Sequence, residues 1–225
     1  FKRYRHVLVS LNRELDTAEV KMCGKVWREL EPSHIPAKCL SIHRDAFRNQ
    51  KKGPHNTKVV RSEDPDRVEC AERFNEHFDK GGACHGSKMM VNDLVKLALS
   101  QKEDDNITES QWADLVERLE HTTTSGIGNA VALVDVSGSM NGNPMNAAVG
   151  LGLLISRLTH PAFRQRVITF ETNPKWHILP EPRVRTSGKF THRAALTDQV
   201  TFTHRAALTD QVTDQVTDQV TDEEP

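Results

Sequence analysis

Three oxygen-bearing side chains stand close together in the run Asp135-Val136-Ser137-Gly138-Ser139-Met140. One carboxylate and two hydroxyls on a tight turn can supply part of an octahedral oxygen shell, the arrangement that Mg²⁺ or Mn²⁺ prefers, with water completing it. Gly138 is expected to let the chain turn sharply. Asp and Ser are also common turn formers with no ligand at all. Context therefore matters more than the D-x-S-x-S pattern itself.

The context is that of an α/β unit. Asn129 to Val134 (NAVALV) is a short continuous apolar run, expected as a strand buried on both faces. After the motif, Gly142 to Pro144 reads as a turn, and Pro144 suits the first turn of a helix. Met145 to Leu158 is apolar nearly all round, as for a helix packed on a sheet. Val167 to Phe170 and Trp176 to Leu179 read as further strands. Strand, helix, strand is the order of an α/β fold, and ligands bind such folds at the carboxyl ends of the strands.

Upstream the pattern is helical. Tyr4, Val7, Leu8, Leu11 and Leu15 recur at helical spacing, as do Val20, Cys23, Gly24, Trp27 and Leu30 after a start at Asp16-Thr17. Pro36 opens a third helix with Cys39, Ile42, Ala46 and Phe47 on its apolar face, and these three are expected to pack as short antiparallel helices. Residues 48–64 read as a loop. Pro65 opens a fourth helix, with Val68, Ala71, Phe74 and Phe78 inward and Gly81-Gly82 as its stop. Asn92 caps a fifth. Thr108-Glu109-Ser110-Gln111 reads as a capping box before Trp112, Leu115, Val116 and Leu119. Residues 121–128 (HTTTSGIG) read as a linker.

Ala132 to Leu158 resembles the metal-ion-dependent adhesion site of von Willebrand factor A (vWA) domains. The wider set of segments, Leu15 to Cys23, Gln111-Trp112, Val134 to Met140 and Val167 to Phe170, is similar to an uncharacterised family of plants and giant viruses. That family joins a TROVE-like helical region to a C-terminal vWA domain. The Ro ribonucleoprotein autoantigen shares the two-part plan, as an analogy of architecture alone. The resemblance implies a cation at Asp135, Ser137 and Ser139, completed by a carboxylate from a protein partner. It also implies a threonine and an aspartate from two later loops. Here the recognisable pattern stops after Leu179, which predicts a chain truncated within the vWA domain. An unfinished parallel sheet would leave an open apolar edge and lower solubility.

Repeats follow. Phe190 to Thr201 (FTHRAALTDQVT) is duplicated letter for letter at Phe202 to Thr213, and Asp-Gln-Val-Thr units run on to the end. Perfect repetition of indifferent helix formers is expected to be disordered. Thr197-Asp198 lies in this duplicated tract and is not assigned to the site.

Charge is uneven although the net charge is −1. Residues 1–60 carry 13 Lys and Arg against 6 Asp and Glu; residues 61–128 carry 8 against 15. The basic first part gives a rival reading, RNA binding, with Arg3, Arg5, Lys21, Lys25, Lys38, Arg44, Lys51 and Lys52 as phosphate contacts. The plainer alternative is a solvated face paired with the acidic segment. Trp27, Trp112 and Trp176 sit in apolar patterns and are expected in the core rather than stacked on bases.

Enzymatic signatures are absent. There is no G-x-S-x-G elbow, no phosphate-binding loop and no dinucleotide fingerprint. The 11 histidines and four cysteines (Cys23, Cys39, Cys70, Cys84) show no ligand spacing, so free thiols in a reducing compartment are expected. No signal peptide or membrane-spanning run is present in the 225 residues, which begin with Phe1. The expectation is an α + α/β chain: a helical, HEAT-like, TROVE-like region over 1–120, a partial vWA (Rossmann-like) domain over 129–180, and a disordered tail over 186–225. Its expected job is non-enzymatic and intracellular, binding a protein through Mg²⁺ or Mn²⁺. No membrane or small-molecule substrate is expected. RNA binding, and a truncated product without independent function, are the alternatives.

Overall fold

The computed structural model describes residues 1–100, 106–123, 126–170, 174–180, 185–186 and 189–190. The chain is mixed α and β, mainly helical with small sheets, and divides into two compact units, Phe1–His85 and Gly86–Pro225. The division precedes the compositional linker at 121–128, so the helices that follow His85 belong with the strands. The repeat tract beyond 190 lies outside the described residues.

In the first unit, helix α1 (Lys2–Glu14) is followed by α2 (Ala18–Gly24) and α3 (Ala37–Phe47). The helix expected to run on to Leu30 stops early because Lys25, not Gly24, takes the left-handed conformation (φ 58°). The Val26 N–H then donates to the Lys21 carbonyl at 3.1 Å and the Lys25 N–H to that of Met22 at 3.3 Å, the pattern of a Schellman cap. Trp27–Glu29 and Pro32–His34 continue as single 3₁₀ turns. The expected loop at 48–64 contains an antiparallel hairpin, β1 (Gln50–Lys52) with β2 (Lys58–Val60). Helix α4 (Pro65–Asp79) starts as expected at Pro65, with Asp64 accepting from the Asp66 N–H at 3.1 Å.

The core of this unit is aromatic. Phe47 stacks on Phe74 at 4.7 Å between ring centroids, and Trp27 meets the edge of Phe47. The Arg67 guanidinium lies 3.5 Å from the Trp27 ring centre and donates to the Ala46 carbonyl at 2.7 Å. A buried arginine is tolerated because both its charge and its donors find partners. Asp66 accepts the Trp27 and Arg28 backbone N–H groups at 2.7 and 3.1 Å, fixing the 3₁₀ turn on α4. Ile42 and Val68, expected inward, are exposed, and α1 buries none of its residues. All four cysteines are free thiols. Burial pushes the Cys70 thiol up to about 11, and burial with Glu19 nearby pushes Cys39 up to about 12, so both stay protonated.

The second unit contains α5 (Val91–Ser100), α6 (Asn106–Thr122), β3 (Ala132–Asp135), α7 (Asn143–Leu158), β4 (Arg166–Phe170) and β5 (Trp176–Ile178). Two residue pairs further on form β6 (Arg185–Thr186) and β7 (Lys189–Phe190). Helix α6 begins at Asn106, so Thr108 to Gln111 lie inside it and are buried rather than forming its cap. Strands β3 and β4 are parallel, joined through α7, with Ala132 opposite Val167 and Asp135 opposite Phe170. Strand β5 adds antiparallel to β4, giving the order β3-β4-β5.

The sheet is covered on one face. Ala132, Val134 and Val167 are buried with α7, whereas Leu133, Phe170, Trp176 and Ile178 are exposed. Strand β3 is therefore half-buried, and Trp176 lies outside the core, because among the described residues only α7 of the helices contacts the sheet strands closely. The approach of α7 depends on its glycines. A Cβ on Gly152 would lie 2.6 Å from a Val134 methyl, and one on Gly150 would lie 2.2 Å from a Val91 methyl of α5. Among the described residues no helix is long and apolar enough to cross a membrane.

Gly152→Val is expected to destabilise the protein by about 1–3 kcal/mol through overpacking against an inflexible valine. Gly138→Ala, whose methyl would meet nothing within 4 Å, should change stability by less than about 0.5 kcal/mol. Urea unfolding midpoints at constant slope measure both. Equal midpoints for Gly152→Val and the parent would refute this account of the packing.

Candidate functional site

Asp135 is the last residue of β3, at the carboxyl end of the parallel pair. The chain leaves the sheet through Val136, which is buried and anchors the loop, then emerges at Ser137, Gly138 and Ser139, all exposed. Gly138–Met140 forms one 3₁₀ turn. The left-handed residue that redirects the chain into α7 is Gly142 (φ 88°), not Gly138. Pro144 lies in the first turn of α7, as its missing N–H allows.

The three predicted ligands come together. The Ser137 backbone N–H donates to Asp135 Oδ1 at 3.0 Å, an Asx turn. The Ser137 and Ser139 hydroxyl oxygens are 3.1 Å apart. Neighbouring ligands on a Mg²⁺ octahedron with bonds of roughly 2.0–2.1 Å are separated by about 3 Å. The hydroxyl pair therefore has the spacing of two adjacent ligands, and the same spacing serves as a hydrogen bond between them. The donor set is hard oxygen throughout and holds one carboxylate. Among the described residues no group of three or more His, Cys, Asp and Glu is placed to hold a metal ion. A cation at Asp135 would therefore depend on the two serines, water and an outside ligand. The residues fit a weakly held Mg²⁺ or Mn²⁺, and do not fit zinc, which favours nitrogen and sulfur.

The basic candidates are spread over separate elements. Arg3 and Arg5 are exposed on α1. Lys21 of α2 is tied to Asp16 at 2.8 Å and to the Glu29 carbonyl at 3.1 Å. Lys25 caps α2, Lys38 lies in the first turn of α3, and Arg44 approaches Asp45 at 4.0 Å. Lys51 and Lys52 are exposed on β1, where Lys52 pairs across the hairpin with Lys58. Residues 48–64 carry no strand periodicity, so this pairing is not visible in the sequence.

The N–H of Ser137, and its hydroxyl to a smaller degree, hold the Asp135 carboxyl below its ordinary range. Such a group stabilises the turn above the unfolded-chain pKa of about 3.9, and the contribution fades as pH falls through the lower folded value. NMR titration of the Asp135 carboxyl carbon should give a midpoint below about 3.9. Ser137→Ala, which keeps the N–H and removes the hydroxyl, should raise it part of the way. A midpoint at or above the ordinary value would show that the turn does not form in solution.

Residues 129–217 match the family model described as a domain of unknown function (DUF7788). The chain is 29% identical over 180 residues to an uncharacterized protein, L728, of Acanthamoeba polyphaga mimivirus. That match covers 79% of this chain but 30% of the viral protein, so the chain spans less than a third of that relative's length. No solved structure matches. The site thus lies within the stretch that matches this family model and also within an α/β segment of two parallel strands and their connecting helix.

Proposed function

We propose that the second unit is a non-enzymatic interaction module of the vWA kind, which binds a protein carboxylate through Mg²⁺ or Mn²⁺ held at Asp135, Ser137 and Ser139. The observation that supports this most is the 3.1 Å hydroxyl pair beside a carboxylate at the carboxyl end of a parallel strand. The cation would supply positive charge to the partner carboxylate. Asp135 would ligate it directly or through water, while the Ser137 N–H keeps the carboxylate ionised and aimed. On this reading the first unit is the TROVE-like, HEAT-like partner of a vWA domain, and the whole acts as a binding protein inside the cell.

A second reading, RNA binding by the basic first unit, has one observation in its favour. Lys52 and Lys58 face each other across β1–β2, a like-charge pair that costs stability without an anion nearby. Lys58 has Asp45 at 3.7 Å, which offsets part of this.

Calorimetric titration of the full chain with Mg²⁺ and Mn²⁺ tests the first reading. Saturable binding is expected, lost in Asp135→Ala and weakened about tenfold in Ser139→Ala, by analogy with perturbed ligand shells. Identical heats in the parent and Asp135→Ala would remove the metal from the account. For the second reading, affinity for single-stranded RNA is measured against salt. Lys51→Ala with Lys52→Ala should flatten the log–log slope by about 1.4; an unchanged slope would place any RNA contact elsewhere.

A further inference from the structure

Helix α1 presents an apolar stripe that nothing in its own unit buries. Tyr4, Val7, Leu8 and Leu11, with Leu15 at the C-cap, fall at i, i+3, i+4, i+7 and i+11, and each is exposed. At helical spacing they share one face. The rest of the circumference carries four cations, Lys2, Arg3, Arg5 and Arg13, among His6, Val9, Ser10 and Asn12, with Glu14 the single acidic residue of the helix. At 100° per residue, Arg5 flanks the stripe on one side and Arg3 on the other.

We propose that α1 lies on anionic lipid surfaces, with its tyrosine and leucines in the acyl boundary and its arginines on the headgroups. Charge complementarity selects this occupant. A second copy would set one cationic helix against another. A polyanion such as RNA would pair the arginines but leave the apolar stripe in water. A lipid interface takes both: the stripe enters the boundary, and long cationic side chains on its two flanks reach back to the headgroups. The helix would lie on the surface and not span it, in keeping with its 13 residues.

The test is co-sedimentation of the full chain with phosphatidylcholine vesicles, alone or containing about one-third phosphatidylserine. The chain should pellet with the anionic vesicles, remain in solution with the neutral ones, and come off as salt rises. Arg3→Gln with Arg5→Gln should weaken partitioning about 30-fold, from the usual gain per cationic residue near a charged membrane. Leu8→Asp with Leu11→Asp should abolish it. Since α1 buries nothing, both variants should keep the parent urea midpoint, which separates lost binding from lost folding. Equal partitioning onto both vesicle types, or anionic binding that survives Leu8→Asp with Leu11→Asp, would overturn the proposal. Failure on both vesicles would also overturn it, and would leave an acidic protein surface as the cover for this face.

Discussion

The contact that the second unit depends on is the approach of α7 to β3 across Gly152. With a 2.6 Å separation between a virtual Cβ and a Val134 methyl, no side chain larger than hydrogen fits without displacement. That closeness fixes how far the helix stands from the strand, and so how long the loop between Asp135 and Asn143 must be. The loop spends its length on a buried residue, Val136, one 3₁₀ turn and the Gly142 reversal. Asp135, Ser137 and Ser139 are thereby left on the outside of a turn whose two ends are pinned. Gly150 extends the same logic to α5, so one helix is tightened against two neighbours by glycines two positions apart.

The far end of α7 is secured by a different device. The Thr159 hydroxyl accepts from the Ala130 N–H at 3.1 Å and lies within hydrogen-bond reach of the Ala130 and Gly128 carbonyls at 2.6 and 3.0 Å. One buried hydroxyl thus satisfies backbone groups just ahead of β3, where the ladder has not yet begun. The Gln165 N–H returns to the Ser156 carbonyl at 3.1 Å and the Leu179 N–H to the Gln165 carbonyl at 2.8 Å. Helix end, strand entry and the edge of β5 are therefore tied into one corner. The candidate site sits at the opposite end of the strand from this corner.

Much of this was readable from sequence because it rests on local rules. Pro65 and Pro144 in first turns follow from covalent geometry, and the strand into Asp135 from its apolar run. The differences have two causes: a helix end is set by one residue's backbone conformation, and burial is a property of neighbours. Val20 to Leu30 has helical periodicity, yet the helix ends at Gly24 because Lys25, the residue after the glycine, takes the left-handed conformation. Thr108 to Gln111 has the letters of a capping box, but the helix starts two residues earlier and buries them. Leu133 and Trp176 look like core by type. They stand exposed because, among the described residues, α7 is the only helix packed closely on the sheet and it covers the other face. The stripe on α1 is the same case: a periodicity identifies a face but not what covers it.

The shortage of carboxylates at the candidate site has an electrostatic consequence for the proposed reading. A divalent cation held by one carboxylate and two neutral hydroxyls leaves the site with a net positive charge of about one, near the surface. Water can fill the remaining positions, but it does not neutralise that charge. An anionic ligand does both, and gains most where the protein itself has supplied fewest carboxylates. A richer ligand set would hold the metal more firmly and have less reason to recruit an outside oxygen. With a single carboxylate, metal and partner should stabilise each other, each binding weakly alone and more tightly together. By reciprocity of the coupling, any carboxylate that strengthens metal binding must have its own affinity raised by the metal to the same degree.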